Sequence, residues 1–271
     1  MKTLSVLLAL ITMTAPAAAQ QGGEPKKAPS SEVEFEMMTW PEVKDALAAG
    51  RTTALVYTGG TEHRGPQNVN GGHNLMARET VKAIALKLGN AIALPVLPFT
   101  PNNASAGLPG TIGLTNELLA AILERVADQA IVTGFKNVVL MSDHGSGQPA
   151  VYRDTAAKLD AKYAEQGIHV YYCDDVYRKR IDDFDAYLRS QNLPPGGHAA
   201  IADTSEMLYL GGDKGWVRKD QIPNALARPR GESSNGVSGD GRAATAELGK
   251  RVFDMKVEYA VRQIQGFLAP K

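Results

Sequence analysis

Cysteine is almost missing from this chain: Cys173 stands alone among 271 residues. No disulfide can form within the chain, so stability has to come from an apolar core and from any assembly. The residue closes a strand-like run, 168–173, and reads as a small buried hydrophobe rather than a nucleophile. An excess of charge is missing too. Twenty-nine basic and twenty-nine acidic residues cancel, which removes the broad basic surface that nucleic acid or an anionic membrane would call for. The longest apolar run, 4–13, is too short to span a bilayer comfortably. No G-x-G-x-x-G opens a helix and no G-K-[ST] follows a glycine loop, so a phosphate cradle is not indicated.

What is present begins with a leader. Lys2 supplies a positive start, residues 4–13 an apolar stretch, and residues 15–19 (APAAA) a small-residue cleavage site. Residues 1–19 are therefore expected to be a signal peptide. Residues 20–35, polar and rich in glycine, proline and lysine at their start, follow as a flexible lead-in, and 36–271 form one domain. The mature protein is expected to be periplasmic or secreted, with no membrane contact after cleavage.

Within that domain strand and helix patterns take turns. Strands are expected at 53–57, 91–97, 138–141 and 168–173. Helices are expected from Trp40, at 74–88, after an N-cap at Thr115, and at 150–165, 175–191 and 243–267. The helix after Thr115 carries an apolar stripe of Leu118, Leu119, Ile122, Leu123 and Val126; the last carries Phe253, Val257, Ala260, Ile264 and Phe267. Alternation of this kind implies an α/β fold, a three-layer α/β/α sandwich with a mostly parallel central sheet. Ligands bind such sheets outside the carboxyl ends of the strands. Four polar clusters fall there or just beyond, at 57–73, 98–112, 142–147 and 196–205. The first, YTGGTEHRGPQNVNGGH, places Glu62, His63, Arg64 and His73 in twelve residues.

These clusters carry a family resemblance. Residues 60–67 (GTEHRGPQ) are similar to the E-Q-H-G-P block of the creatininase family of metal-dependent amidohydrolases. Its P-G-T-I matches residues 109–112, and its N-G-H-G-G-N matches 142–147 (SDHGSG). Its H-A-G-E-x-E-T-S-x-M-L matches 198–208 (HAAIADTSEML). Its G-V-x-G-D block and the A-T-x-E-x-G that follows match 236–240 and 244–249. With five blocks in order, the chain resembles a divergent, exported member of that family, and the resemblance implies the creatininase-like fold.

The resemblance implies two divalent ions held by the Glu and His of E-Q-H, a distal bridging Asp, the His of the third block and a Glu two places later. Here Glu62 and His144 match, whereas Arg64 replaces the histidine, His73 stands where the bridging Asp falls, and Ser146 replaces the glutamate. An arginine keeps its proton and cannot ligate a cation. The expectation is therefore one divalent ion, zinc first and manganese or iron as alternatives, on Glu62, His73 and His144, with Asp203 as a further ligand or orienter. Arg64 is expected near the second ion's place, free to grip a substrate carboxylate or an oxyanion. By resemblance His198 protonates the departing nitrogen. His63 is expected behind the ligands and not among them. Asp143 would orient His144 or cap a turn. The implied partner is a small-molecule amide, and the implied assembly a homo-oligomer, a hexamer in the family. The expected function is hydrolysis of a non-peptide amide C–N bond, cyclic amides included. Alternatives are a non-catalytic exported binding protein on the same scaffold and a peptide-trimming hydrolase.

Overall fold

A computed structural model describes residues 31–145 and 149–269; the expected signal peptide lies outside the described residues. Strands β1 (Thr53–Thr58), β2 (Ala91–Ala93), β3 (Asn137–Ser142) and β4 (His169–Tyr172) form one sheet in the order β2-β1-β3-β4, every neighbouring pair parallel. Helices α1 (Trp40–Ala48), α2 (Gly72–Leu88), α3 (Asn116–Thr133), α4 (Pro149–Tyr163), α5 (Arg178–Ser190), α6 (Ile201–Gly211) and α7 (Ala246–Leu268) cover it.

The period of two along each strand divides the core. Leu55, Tyr57, Val139 and Met141 face α2 and α7, meeting Ala77, Val81, Ile84, Ala260 and Ile264. Ala54, Val56, Val138 and Leu140 face the other way, onto Leu119, Leu123 and Ala127 of α3 and Tyr152 and Leu159 of α4. Each such aliphatic side chain contributes roughly 1.5–3 kcal/mol by burial. Strands buried on both faces read as continuous apolar runs, as β1 does. The three-layer α/β/α architecture expected from the alternation is the one observed.

Four details differ from the expectation. Val33 and Glu34, placed in the lead-in, belong to the fold: the Val33 carbonyl accepts the Ala93 amide at 2.7 Å, and Glu34 receives Arg78 at 2.9 Å. β2 stops at Ala93 because its sequence runs into Pro95, which has no amide to donate. Leu118 is half-exposed, since the buried face of α3 runs through Leu119, Leu123, Ala127 and Ala130. Finally, α6 occupies a stretch read as part of a polar cluster.

The order of the strands matters for the site. The chain leaves β1 for β2 on one side and then returns to β3 on the other. The connections therefore diverge between β1 and β3, which opens a crevice beyond their carboxyl ends. Glu62 follows β1 and His144 follows β3.

Candidate metal and catalytic centre

The loop after β1 is pinned before it reaches the site. The Asn74 side chain accepts the Gly60 amide at 2.7 Å. Gly59 lies so close that a Cβ there would meet the Asn74 Oδ1 at 2.2 Å and its Cα at 2.7 Å; only glycine permits this approach. The loop then crosses the helix starting at Gly72, where an added Cβ would fall 2.9 Å from the Arg64 side chain. Thr111, in the P-G-T-I block, accepts the His63 amide at 3.2 Å. On the far side, Gln67 donates to the Ala199 carbonyl at 2.7 Å and fixes the turn carrying His198.

Glu62 is the hub. Its Oε1 lies 3.0 Å from His73 Nε2 and 3.4 Å from Arg64 Nη1. Its Oε2 lies 2.9 Å from His144 Nε2 and accepts the Asn102 amide at 2.8 Å. One ligand atom from each of Glu62, His73 and His144 can be chosen so that all lie within 4.8 Å of one another, and all three residues are buried. The three expected ligands, 82 positions apart in the chain at the extremes, do converge.

Behind this triad stands a second rank. His73 Nδ1 donates to Asp143 Oδ2 at 2.8 Å. Asp143, at the bend just past β3, thus holds His73 rather than the His144 of the expectation. Asp143 Oδ1 takes Lys256 of α7 at 2.5 Å and the Tyr57 hydroxyl at 3.2 Å. Lys256 continues to Glu206 of α6 at 2.7 Å. Burial raises the Glu62 and Asp143 pKa values. For Glu62 the hydrogen bonds from His144 and His73 outweigh it, and for Asp143 the Lys256 charge and His73 do so; both acids stay well below the usual carboxylate range. Burial and Arg64 lower the His73 pKa, yet its two carboxylates win and raise it.

A neutral imidazole whose Nδ1 hydrogen is spent on Asp143 presents a lone pair at Nε2. That lone pair would face a carboxylate oxygen 3.0 Å away, which is repulsive unless a proton or a metal ion lies between. The same carboxylate–histidine pairing is how proteins orient a ligating imidazole. A Glu-His-His donor set with an open side therefore fits a divalent ion.

The remaining expected residues divide. His198 and Asp203 line the cavity above the triad, about 520 Å³ in volume, together with His63, Asn102, Tyr177 and Arg180. His198 Nε2 donates to the His63 carbonyl at 2.7 Å, leaving Nδ1 directed at Glu62, 3.4 Å off. His63 meets His198 edge to face, and the converging donors are Glu62, His73 and His144. Asp203 is not among them either. It pairs with Arg64 at 3.1 Å and accepts the Ala199 amide at 2.8 Å, and although burial raises its pKa, Arg64 draws it down to about 2. Arg64 has no exposed side-chain surface and does not line the cavity. The expected grip on a substrate does not fit this burial; the guanidinium lies in ion-pair reach of Glu62 and Asp203, with Nε and Nη2 making no hydrogen bond. Ser146 lies outside the described residues.

Sequence reasoning passed over Asn102, Lys256, Glu206 and Arg180. Lys256 and Glu206 carried a signal: each is a charge on the apolar side of its helix, beside Val257 and Met207. Asn102 lay in the polar cluster 98–112, but nothing there set it apart from its neighbour Asn103.

Fold, crevice and donor set together define an α/β protein with a buried metal-binding triad at a strand-end cavity. A family model described as "Creatininase: Creatinine amidohydrolase" matches residues 36–264, and the chain belongs to that family. A 3-dehydro-scyllo-inosose hydrolase of Thermotoga maritima is 26% identical over 113 residues, 42% of this chain and 36% of that protein. The chain thus matches about a third of that relative's length. Among solved structures, a crystal structure of creatinine amidohydrolase superposes with a TM-score of 0.70 at 19% identity, covering 89% of this chain and 100% of the other. A manganese creatininase gives 0.69 at 18%, covering 88% and 100%. A putative creatinine amidohydrolase from Bacteroides fragilis gives 0.66 at 18%, covering 89% and 98%. These structural likenesses concern the fold.

Proposed function

We propose that the protein is a single-metal hydrolase of a small amide C–N bond, cyclic amides included. One divalent ion, zinc first, would be held by Glu62, His73 and His144. When bound, the ion supplies Lewis-acid polarisation of the carbonyl and lowers the pKa of water from ~16 to ~7. The chain's own groups do the rest. Asp143 holds His73 in the tautomer that offers Nε2, and Asn102 steadies the outer oxygen of Glu62. Arg64 sets its one positive charge between Glu62 and Asp203, where the family carries a second ion.

His198 moves the proton. Its Nε2 hydrogen is committed to the His63 carbonyl, so only Nδ1 exchanges protons with the cavity. Burial is the largest influence on its pKa and leaves it below the ordinary value. The ring is thus neutral near pH 7, ready to take a proton at Nδ1 from the attacking water and pass it to the departing nitrogen as the C–N bond breaks.

The observation that carries this reading is the convergence of Glu62, His73 and His144 at the floor of the cavity. Its test pairs metal content with turnover. Protein purified without a histidine tag and dialysed against zinc should retain one equivalent, and a panel of cyclic and acyclic amides should yield product. The panel should include a nitrogen-free cyclic ketone, since one relative is named for an inosose. His144→Ala should lose metal and turnover together. Protein that stays metal-free would refute the reading. Saturable binding with no product at any metal load would favour a non-catalytic binder, and amine release from short peptides a trimming enzyme. Export to the periplasm or medium and assembly as a homo-oligomer, a hexamer by family likeness, belong to the same proposal; cell fractionation and sedimentation test them.

A further inference from the structure

Among the described residues three cationic side chains are buried near the triad, and two of them stand in ion pairs, although Arg64 too keeps nitrogens without a hydrogen bond. Arg64 pairs with Glu62 and Asp203, and Lys256 with Asp143 and Glu206. The third is Arg180, in the first turn of α5, only 6% exposed and lining the same cavity as Glu62, His144 and His198. Its side chain makes no ion pair and no hydrogen bond with the described residues, and its Nε is sealed from solvent without a partner. Its guanidinium lies 5.3 Å from the centre of the Tyr177 ring, which steadies the plane and supplies no negative charge.

We propose that Arg180 is the receptor for a carboxylate on the substrate, so that the substrate class is a small amide acid and not a neutral amide. This rests on the hydrolase reading above. A guanidinium cannot shed its proton to escape burial, and a desolvated charge without a counter-ion is unfavourable. A planar carboxylate relieves both conditions, since it matches the fork of donors. The other carboxylates nearby do not serve. Glu206 spends one oxygen on Lys256 at 2.7 Å and its other oxygen has no hydrogen-bond partner, so Arg180 acts on its charge only at a distance. Asp185, further along α5 and lining the same cavity, accepts the Gly196 amide at 2.9 Å and forms no ion pair with Arg180. An amide acid would thus lie with its carboxylate against Arg180 and its scissile carbonyl over the triad. A cavity of about 520 Å³ holds a molecule of that size.

The alternative is that Arg180 serves only the fold, as distant compensation for the Asp143–Glu206 charges. Calorimetry on the zinc-loaded full-length protein separates the two. The probes are N-acetylglycine and its uncharged counterpart N-acetylglycinamide. Wild type should bind the anion roughly tenfold tighter or better, as a charge-assisted pair implies. Arg180→Gln should abolish that preference, and Arg180→Lys should keep part of it. Thermal melts of each variant verify folding, and zinc content is measured on the same samples. Failure of the anion to bind wild type at millimolar concentration, equal affinity for the two probes, or a preference that survives in Arg180→Gln overturns the assignment. Loss of zinc from wild type would instead sink the hydrolase reading itself.

Discussion

Replacing Asp143 by asparagine changes one atom's chemistry and should disable the metal site through a tautomer. Asp143 Oδ1 faces Lys256, and its Oδ2 faces His73 Nδ1. Lys256 is 1% exposed and can only donate. In Asp143→Asn the amide oxygen must therefore turn to Lys256, which presents the NH₂ group to His73. The ring then accepts at Nδ1 and carries its hydrogen on Nε2, the atom aimed at the ion. Loss of such a supporting carboxylate typically costs 10–100-fold in metal affinity, and the wrong tautomer places this case at about 100-fold, near 2.7 kcal/mol. Competition against a chromophoric chelator measures the zinc dissociation constant. Tyr57→Phe is the control, since its hydroxyl also donates to Asp143, on Oδ1, without touching His73. That change should cost about 1 kcal/mol in urea unfolding and leave zinc affinity within twofold. Unchanged affinity in Asp143→Asn, or equal losses in the two variants, would refute the assignment of Asp143 as the orienter of His73.

Zinc binding should depend on pH through His73, whose pKa is raised above the ordinary 6.5 by Asp143 and Glu62 against burial and Arg64. Below that raised value the proton must leave first, so affinity should fall about tenfold per pH unit, with proton release visible by calorimetry in two buffers. For the metal-free protein the sign is opposite: the imidazolium contributes stability in full below 6.5 and loses it as pH rises through the raised value, read from urea midpoints. Gly59→Ala should destabilise by about 1–3 kcal/mol, because the Cβ meets the Asn74 backbone. The double variant Arg64→His with His73→Asp restores the family pattern at two positions and should bind two zinc equivalents where wild type binds one; a stoichiometry that stays at one would contradict the role given to Arg64.

Much of the fold was legible because its signals are local. Apolar runs such as 53–57 and 138–141, and caps such as Thr115, mark their own elements, and Thr115 does accept the Leu118 amide. The triad was legible for a different reason: Glu62, His73 and His144 each lie in a polar stretch just past a strand, where side chains of that type have little structural use. What escaped is what depends on direction. The sequence places Asp143 beside His144, but its carboxylate meets His73, at the start of α2, instead. Arg64 read as a charge available to a substrate, and only the packing of Gly72 and α2 over it reveals that it is closed off. Arg180 sits among arginines and lysines in the sequence RKR, on a helix with a charged outer face. Its difference from Arg178 is burial, which follows from the way α5 docks and not from any local pattern.

Charge balance ties the single ion to the unpaired arginine. Four carboxylates, Glu62, Asp143, Asp203 and Glu206, are joined by ion pairs around the triad. Arg64 and Lys256 offset two of them, and one dication offsets the other two. A second dication in the place held by Arg64 would meet that guanidinium at close range, where each pair of unit charges 4 Å apart costs ~4 kcal/mol at an effective dielectric of 20, or about twice that for a dication. Arg64 thus supplies the second positive charge in a form that cannot dissociate. Among the described residues Arg180 then stands as the buried cation without an ion-pair partner, with Glu206 acting on it only at a distance, and on the proposal above an anionic group on the substrate would pair with it. The departures from the family pattern at positions 64 and 73 and the guanidinium on α5 without an ion-pair partner point the same way electrostatically, toward the proposed pairing of one ion with one acid.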